Sequence, residues 1–326
     1  QNKDQAIKLI NEISQSSCDC IKFQIYEPFE IVSKKVRCSE YGLDKFYGDI
    51  SAYAMFDNHL KTPKSWFPEL LDYVHSLGMD CMVTIHGENG IDWVNGLAFD
   101  IVKVASMDHS NTPFLQKLVD KVDKPLLVSF GMADLNSIDT AMEILKKHPK
   151  GLGIFYCSAI YPPGPEDLSL GNIEYMIERY NVPVGFSDHT LGNATAAAAL
   201  ACGALIFEKH VTLDRALEGP DHTSAVTTGE FKDYVDTLIV TKNYLNQGFR
   251  NPSKNEIKNK KHYVKSVIAK VNLSRGHKIK QSDIYLARPG TGIEPKYYYD
   301  LVGRVVKNDI EAEVPILWSD LLQDET

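Results

Sequence analysis

Seven short, almost continuously apolar runs constrain this chain more than any other feature: "CDCIKFQIY" (18–26), "MDCMVTIHG" (79–87), "FDIVKVAS" (99–106), "KPLLVSFGM" (124–132), "GIFYCSAIYP" (153–162), "VPVGFSDHT" (182–190) and "GALIFEKHVT" (203–212). Between them lie helical patterns, among them "SWFPELLDYVHSLG" (65–78), a short one around 91–95, 112–120, "SIDTAMEILKKHP" (137–149), "NIEYMIERYN" (172–181) and the small-residue stretch "NATAAAAL" (193–200). Strands that lack a polar alternate face and that alternate with helices are parallel strands covered on both sides. An open doubly wound sheet would carry a glycine-rich phosphate turn after an early strand, but the first strand runs into "QIYEPF" with no glycine. A closed (β/α)8 TIM barrel accounts for the pattern, and it requires one more strand than the seven seen. The chain opens in what reads as the middle of an amphipathic helix, so that first strand is expected on material before Gln1.

A long helix, "GEFKDYVDTLIVTKNYLNQG" (229–248), closes the repeating part. The basic, polar "FRNPSKNEIKNKK" (249–261) has little to bury and reads as a linker, extendable to ~40 Å. Beyond it come β-like runs broken by Arg-Gly, Pro-Gly and Thr-Gly turns. The expected organisation is a barrel domain over 1–247, a linker over 248–261 and a small, mostly β domain over 262–326.

Acidic residues outnumber basic ones, 43 to 35. That balance argues against nucleic acid as a partner, yet leaves open an anionic metabolite held by a few lysines. No apolar run approaches the ~20 residues of a membrane span. The six cysteines show no CxxC spacing and mostly lie in apolar runs, so reduced thiols and a cytoplasmic location are expected.

Reactive side chains gather at the C-terminal ends of the strands, where a barrel builds its active site: Lys22 and Gln24, His86, Lys103 and Ser106, Ser129, Cys157 and Ser158, Ser187 to His189, and Glu208 to His210. His189 and His210 end consecutive strands, one strand–helix unit apart. Two imidazoles so placed can share a divalent metal, with Asp188, Asp214 or Asp221 as nearby oxygen donors or acid/base groups; alternatively each caps its strand locally. Lys22 and Lys103 sit inside apolar runs and must reach a carboxylate, an anion or water; in a barrel mouth an anion is favoured. The Ser129 hydroxyl and the backbone N–H groups of the "SFGM" turn can address the same anion.

The motifs "IKFQ" (21–24), "VKVAS" (102–106), "YP" (161–162), "VGFSDHTLG" (184–192), "EKHVTLDR…GPDH" (208–222) and "RPGTGI" (288–293) resemble the sialic acid (N-acetylneuraminate) synthase family over nearly the whole chain. The resemblance implies a TIM barrel with a C-terminal antifreeze-like (SAF) domain. It also implies condensation of phosphoenolpyruvate with an N-acyl hexose, N-acetylmannosamine or a modified relative, giving a nine-carbon α-keto acid and phosphate. On it, His189 and His210 look like ligands of Mn2+ or Mg2+, with the Asp221 carboxylate close by as a catalytic group. Lys22, Lys103, Ser129 and Ser187 look like the phosphoenolpyruvate clamp, Lys103 being catalytic as well. Gln24, Tyr161 and Arg288 look like sugar-site residues. A domain-swapped homodimer is implied, in which Arg288 of the "RPG" turn reaches the partner's barrel. Departures fall on the sugar side: "YCSAIYP" replaces the usual "HCTSxYP" or "HCTNxYP", putting Tyr156 for His and Ala159 for a polar residue, and "VTIHGEN" replaces "FSTPFD". An altered acylamino sugar, of legionaminic or pseudaminic type, follows from these changes. Two other readings are a non-catalytic sugar-acid-binding or partner-binding relative and a synthase of a seven- or eight-carbon keto acid phosphate.

Overall fold

Strands β1 (Cys20–Ile25), β2 (Asp80–Ile85), β3 (Ile101–Val104), β4 (Leu126–Ser129), β5 (Leu152–Cys157), β6 (Val184–Asp188) and β7 (Ile206–Lys209) form one curled sheet in sequence order, every neighbouring pair parallel. This is the barrel architecture expected from the apolar runs. The computed structural model describes residues 2–245 and 251–323 and folds as two compact units, Gln1–Asn246 and Gln247–Thr326.

Helices of the first unit are α1 (Lys3–Ser14), α2 (Phe67–Ser76), α3 (Glu88–Gly96), α4 (Thr112–Lys121), α5 (Leu135–Leu145), α6 (Gly171–Tyr180), α7 (Ala194–Ala201) and α8 (Thr228–Leu245). The polar stretch 27–64 is an excursion of short helical turns between β1 and α2. Helix starts follow local chemistry. Asn2, Asn111 and Asp134 accept from backbone N–H groups of the first turns of α1, α4 and α5, satisfying donors the helix itself leaves unpaired. Thr228 at the start of α8 donates to Glu12 of α1 at 2.7 Å.

Alternation along each strand sorts side chains between two environments. Val83, Val102, Val104, Val128, Ile154, Val184 and Phe186 point to the helix layer and join the main core. Residues one position away point to the barrel interior, where Met82, Leu127 and Phe155 form a separate apolar floor with Cys20, Ile101 and Ile206. Burying each such large side chain is worth ~1.5–3 kcal/mol. Gly185 makes room for Phe155, whose ring carbons would lie 2.7 Å from a Cβ there. These apolar side chains line a space of about 1040 Å3 beside β1 and β7, and the polar inward residues lie nearer the C-terminal ends of the strands.

In the second unit, α9 (Lys254–Tyr263) precedes an antiparallel pair, β8 (Ser266–Ala269) with β9 (Ile284–Ala287), around a core of Val267, Leu273, Ile279, Ile284, Leu301, Val306 and Ile316. Of the stretch read as a linker, residues 254–261 are therefore helical. Residues 248–250 of that expected linker lie outside the described residues, but Ser253 caps α9 with Glu256 in a reciprocal capping box. A helix of this length spans ~15 Å, well short of its stretched reach. Gly290 of the "RPG" turn meets the end of α9: its N–H donates to the Lys261 carbonyl at 2.9 Å, and a Cβ there would fall 2.1 Å from Val264 Cγ2. The glycine serves this close approach. Among the described residues no helix is long and apolar enough to cross a membrane, and the six cysteines are free thiols.

Candidate active site

A cavity of about 350 Å3 opens above the apolar floor, lined by Lys22, Gln24, Thr84, His86, Lys103, Ser129, Cys157, Tyr161, Ser187, His189, Glu208, His210 and Asp221 with their neighbours. Lys22, Gln24, Lys103, Ser129, Tyr161, Ser187, His189, His210 and Asp221, the barrel residues given roles by the resemblance, therefore line one space. Those on the strands arrive there because they occupy inward positions at C-terminal ends, and the pairing aligns Gln24 with Thr84, Thr84 with Lys103, Cys157 with Ser187, and Ser187 with Glu208.

Glu208, named among the strand-end groups but given no role from the sequence, ties the site together. Its carboxylate forms an ion pair with Lys22 Nζ at 2.8 Å and accepts from Lys103 Nζ at 2.8 Å and from Ser187 Oγ at 2.8 Å. Burial works against that carboxylate, but Lys103 and Lys22 outweigh it and hold the group well below the ordinary range. Lys103, its side chain 5% exposed, is drawn below its usual value by burial and recovers its charge through Glu208. The lysines thus meet a carboxylate, where the sequence favoured an anion from solution. Each ammonium has three donors, so one contact with Glu208 leaves two for an incoming anion. Strand period alone puts Glu208 on the inward face, but its partners lie on other strands and are set by the sheet.

His189 and His210 lie with ring centroids 5.3 Å apart, and the Tyr161 ring lies 4.1 Å from His189, tilted by 34°. His189 Nδ1 donates to the Ser158 carbonyl at 2.7 Å, which fixes its tautomer and leaves the Nε2 lone pair free. Burial lowers the His189 pKa to about 4 and lowers that of His210 as well, so both rings are neutral at pH 7, the form a metal takes. Asp221 Oδ2 is 3.8 Å from His210 Nδ1. The loop that carries Asp221 is anchored where Val226 N–H donates to the His210 carbonyl. Two neutral imidazoles with a carboxylate beside them match the donor set of a divalent cation.

Three expectations are corrected here. Asp188 is no oxygen donor to this site: strand alternation turns it outward, where it pairs with Lys209 at 3.0 Å with both side chains at most 1% exposed and accepts from the Thr190 N–H and hydroxyl. Asp214 is spent on its own turn, accepting from Ala216 N–H. The Gly131 N–H of the "SFGM" turn is donated to Ser106 Oγ at 3.0 Å, while Ser129 and Met132 of that segment line the cavity. Of the sugar-side departures, Ala159 lines the cavity, while Tyr156 faces the helix layer and its hydroxyl accepts from Ser169 N–H.

Among the described residues, one trio of metal-ligating side chains has its ligand atoms within 4.8 Å of one another: His75, Cys81 and Asp100. It lies at the N-terminal end of β2. Asp100 Oδ2 already binds His75 Nε2 and the Cys81 N–H, both at 2.8 Å, and burial pushes the Cys81 thiol up to about 12. That is a hydrogen-bonded strand-end clasp with a protonated sulfur.

The chain matches the NeuB family over residues 9–250 and the SAF domain over residues 264–322. It is 34% identical to an uncharacterized protein of Methanocaldococcus jannaschii, with 97% of this chain and 90% of that protein covered. It is 30% identical to the N,N'-diacetyllegionaminic acid synthase of Legionella pneumophila, again covering 97% and 90%. Among solved structures, the N-acetylneuraminic acid (sialic acid) synthetase of Leptospira borgpetersenii in complex with citrate superposes with a TM-score of 0.67 at 25% identity, covering 78% of this chain and 84% of that one.

Proposed function

The chain belongs to the NeuB family, and on that premise we propose that it is a nonulosonic acid synthase, condensing phosphoenolpyruvate with an N-acyl hexose and releasing phosphate. The observation that carries this reading is one cavity with two ammonium groups on one wall and two neutral imidazoles on another. An anionic three-carbon substrate and a carbonyl acceptor need those two environments side by side.

In this reading Lys22, Lys103, Ser129 and Ser187 hold the phosphate and carboxylate of phosphoenolpyruvate. Gln24 and Tyr161 face the sugar. Carbon 3 attacks the sugar aldehyde carbon, water adds at carbon 2, and the carbon–oxygen bond to phosphate breaks. His189 and His210, with Asp221 beside them, would hold a Mn2+ or Mg2+ ion, which when bound supplies a Lewis acid at the sugar carbonyl. Asp221 is also placed to take or return a proton there. The name of the Legionella relative and Ala159 in the cavity favour a diacetamido hexose, since a lost hydrogen bond discriminates strongly between sugars. Incubation with phosphoenolpyruvate, Mn2+ and a panel of mono- and diacetamido hexoses is expected to release phosphate and give a product heavier than the sugar by the pyruvate unit. No phosphate release with any of them overturns the proposal.

Lys103→Ala weakens phosphoenolpyruvate far more than the sugar. Leaving a buried charge unpaired costs roughly 2 to 5 kcal/mol, and here the anion loses a donor while Glu208 keeps Lys22 and the Ser187 hydroxyl. Calorimetric titration with each substrate separately checks this, and equal losses would show the lysine to be misassigned.

The same proposal includes a cytoplasmic homodimer in which Arg288 serves the partner's site. Within its own unit the Arg288 guanidinium stands 5.4 Å over the Tyr263 ring. Mixing inactive Arg288→Ala with inactive His189→Ala is expected to restore up to ~25% of wild-type turnover, because random assortment gives heterodimers with one intact site. No recovery despite confirmed subunit exchange argues for action in cis.

A further inference from the structure

His86 stands one residue beyond β2, at an inward position, and its side chain is 6% exposed. Nδ1 lies 3.0 Å from Asp108 Oδ2, and the Asp108 side chain is equally buried. A carboxylate only accepts, so Nδ1 carries the hydrogen and the lone pair sits on Nε2. Nε2 is buried and has no hydrogen-bond partner. His86 lines the cavity and Asp108 stands behind it, so the unpartnered nitrogen is the edge turned to the cavity. Two hydroxyls share this condition: Thr84 Oγ1 and Ser129 Oγ also line the cavity, buried and unpartnered. Thr84 lies on β2, His86 just beyond its end and Ser129 on β4, flanking Lys103 on β3.

Unpaired buried polar atoms are costly, and three that converge beside an ammonium mark where a ligand supplies the missing partners. An imidazole oriented through Nδ1 by a carboxylate, with Nε2 free, is an arrangement that takes up and returns a proton.

We propose that His86, oriented by Asp108, is the proton carrier at carbon 2 of phosphoenolpyruvate. This rests on the condensation proposed above. As the oxygen of water bonds to carbon 2, one of its protons passes to His86 Nε2, and Asp108 steadies the imidazolium. When the carbon–oxygen bond to phosphate breaks, Nε2 gives that proton to the departing oxygen and is neutral again. The remaining proton of the added water leaves as the keto group forms and ends on the new sugar hydroxyl. Asp108 is a positioning residue, since it acts through His86.

The test uses the full chain. His86→Gln is expected to lower kcat for phosphate release by ~10²- to 10⁴-fold, the range of a lost general acid–base group, while sugar KM moves little and thermal unfolding stays near wild type. His86→Ala is expected to regain turnover with added imidazole, which a purely structural role would not allow. Asp108→Asn is expected to lower kcat, and ¹⁵N NMR of that variant to show His86 losing its Nδ1–H tautomer. A second arm needs no turnover: phosphoenolpyruvate alone, its binding confirmed by calorimetry, is expected to shift the His86 Nε2 resonance of the wild-type protein. A His86→Gln enzyme within threefold of wild type overturns the proposal, as does an Nε2 resonance unmoved by bound phosphoenolpyruvate. A wild-type protein that shifts Nε2 yet releases no phosphate with any sugar overturns the condensation and the proton transfer with it, and leaves His86 as a ligand contact only.

Discussion

His189→Ala and His210→Ala each keep the fold and lose bound Mn2+ and turnover together. Both rings are neutral through burial, and the Ser158 carbonyl holds His189 with its Nε2 lone pair free, so either substitution removes half of an imidazole pair. Loss of the Lewis acid costs several kcal/mol of transition-state stabilisation, which at 1.36 kcal/mol per tenfold is on the order of a thousandfold in rate. The double substitution is expected to be little worse than either single one, because groups that act as a unit are not additive. Metal titration of the purified variants, read beside turnover, checks this. Full Mn2+ binding by either variant would separate the two histidines and end the shared-ligand assignment.

The largest expected effect on stability belongs to a pair that never touches the cavity. Asp188 and Lys209 end β6 and β7, the strands that deliver His189 and His210, and their side chains are 0% and 1% exposed. Asp188 ties down the Thr190 N–H and hydroxyl, Lys209 donates to the Thr190 carbonyl, and its ammonium lies 5.2 Å over the Tyr234 ring. Burial lowers the pKa of Lys209, and the Asp188 carboxylate opposes that shift. Removing one member of such a pair leaves a buried charge uncompensated, at ~3–5 kcal/mol. Lys209→Met is therefore expected to lower the urea midpoint sharply, and adding Asp188→Leu to recover part of the loss, since two apolar groups of similar volume need no partner. A Lys209→Met protein within ~1 kcal/mol of wild type would show the pair to be dispensable. Because Asp188 and Lys209 adjoin the two histidines in sequence, this variant is also expected to bind Mn2+ more weakly.

The sequence by itself determined the repeating architecture. Apolar runs without a polar face, alternating with helices, have one compact solution, a parallel sheet covered outside by helices and packed inside by its own side chains. It also determined which strand ends carry reactive groups, because the two-residue period of a strand places Lys22 with Gln24, Ser187 with His189, and Glu208 with His210 on one face. That same period excludes Asp188 from the site. Only the tertiary structure decided the partners. Lys103 and Glu208 are far apart in the chain, and no local pattern says that one carboxylate gathers two lysines and a serine. His86 and Asp108 belong to successive strand ends, and the distance that joins them is set by the packing of β2 against β3. The Gly131 N–H went to Ser106, and the basic stretch before the small domain became a helix once Ser253 and Glu256 capped it. Period and composition are properties of a segment and survive in its sequence, whereas pairing depends on distances of a few ångströms between segments, which exist only after the barrel has curled.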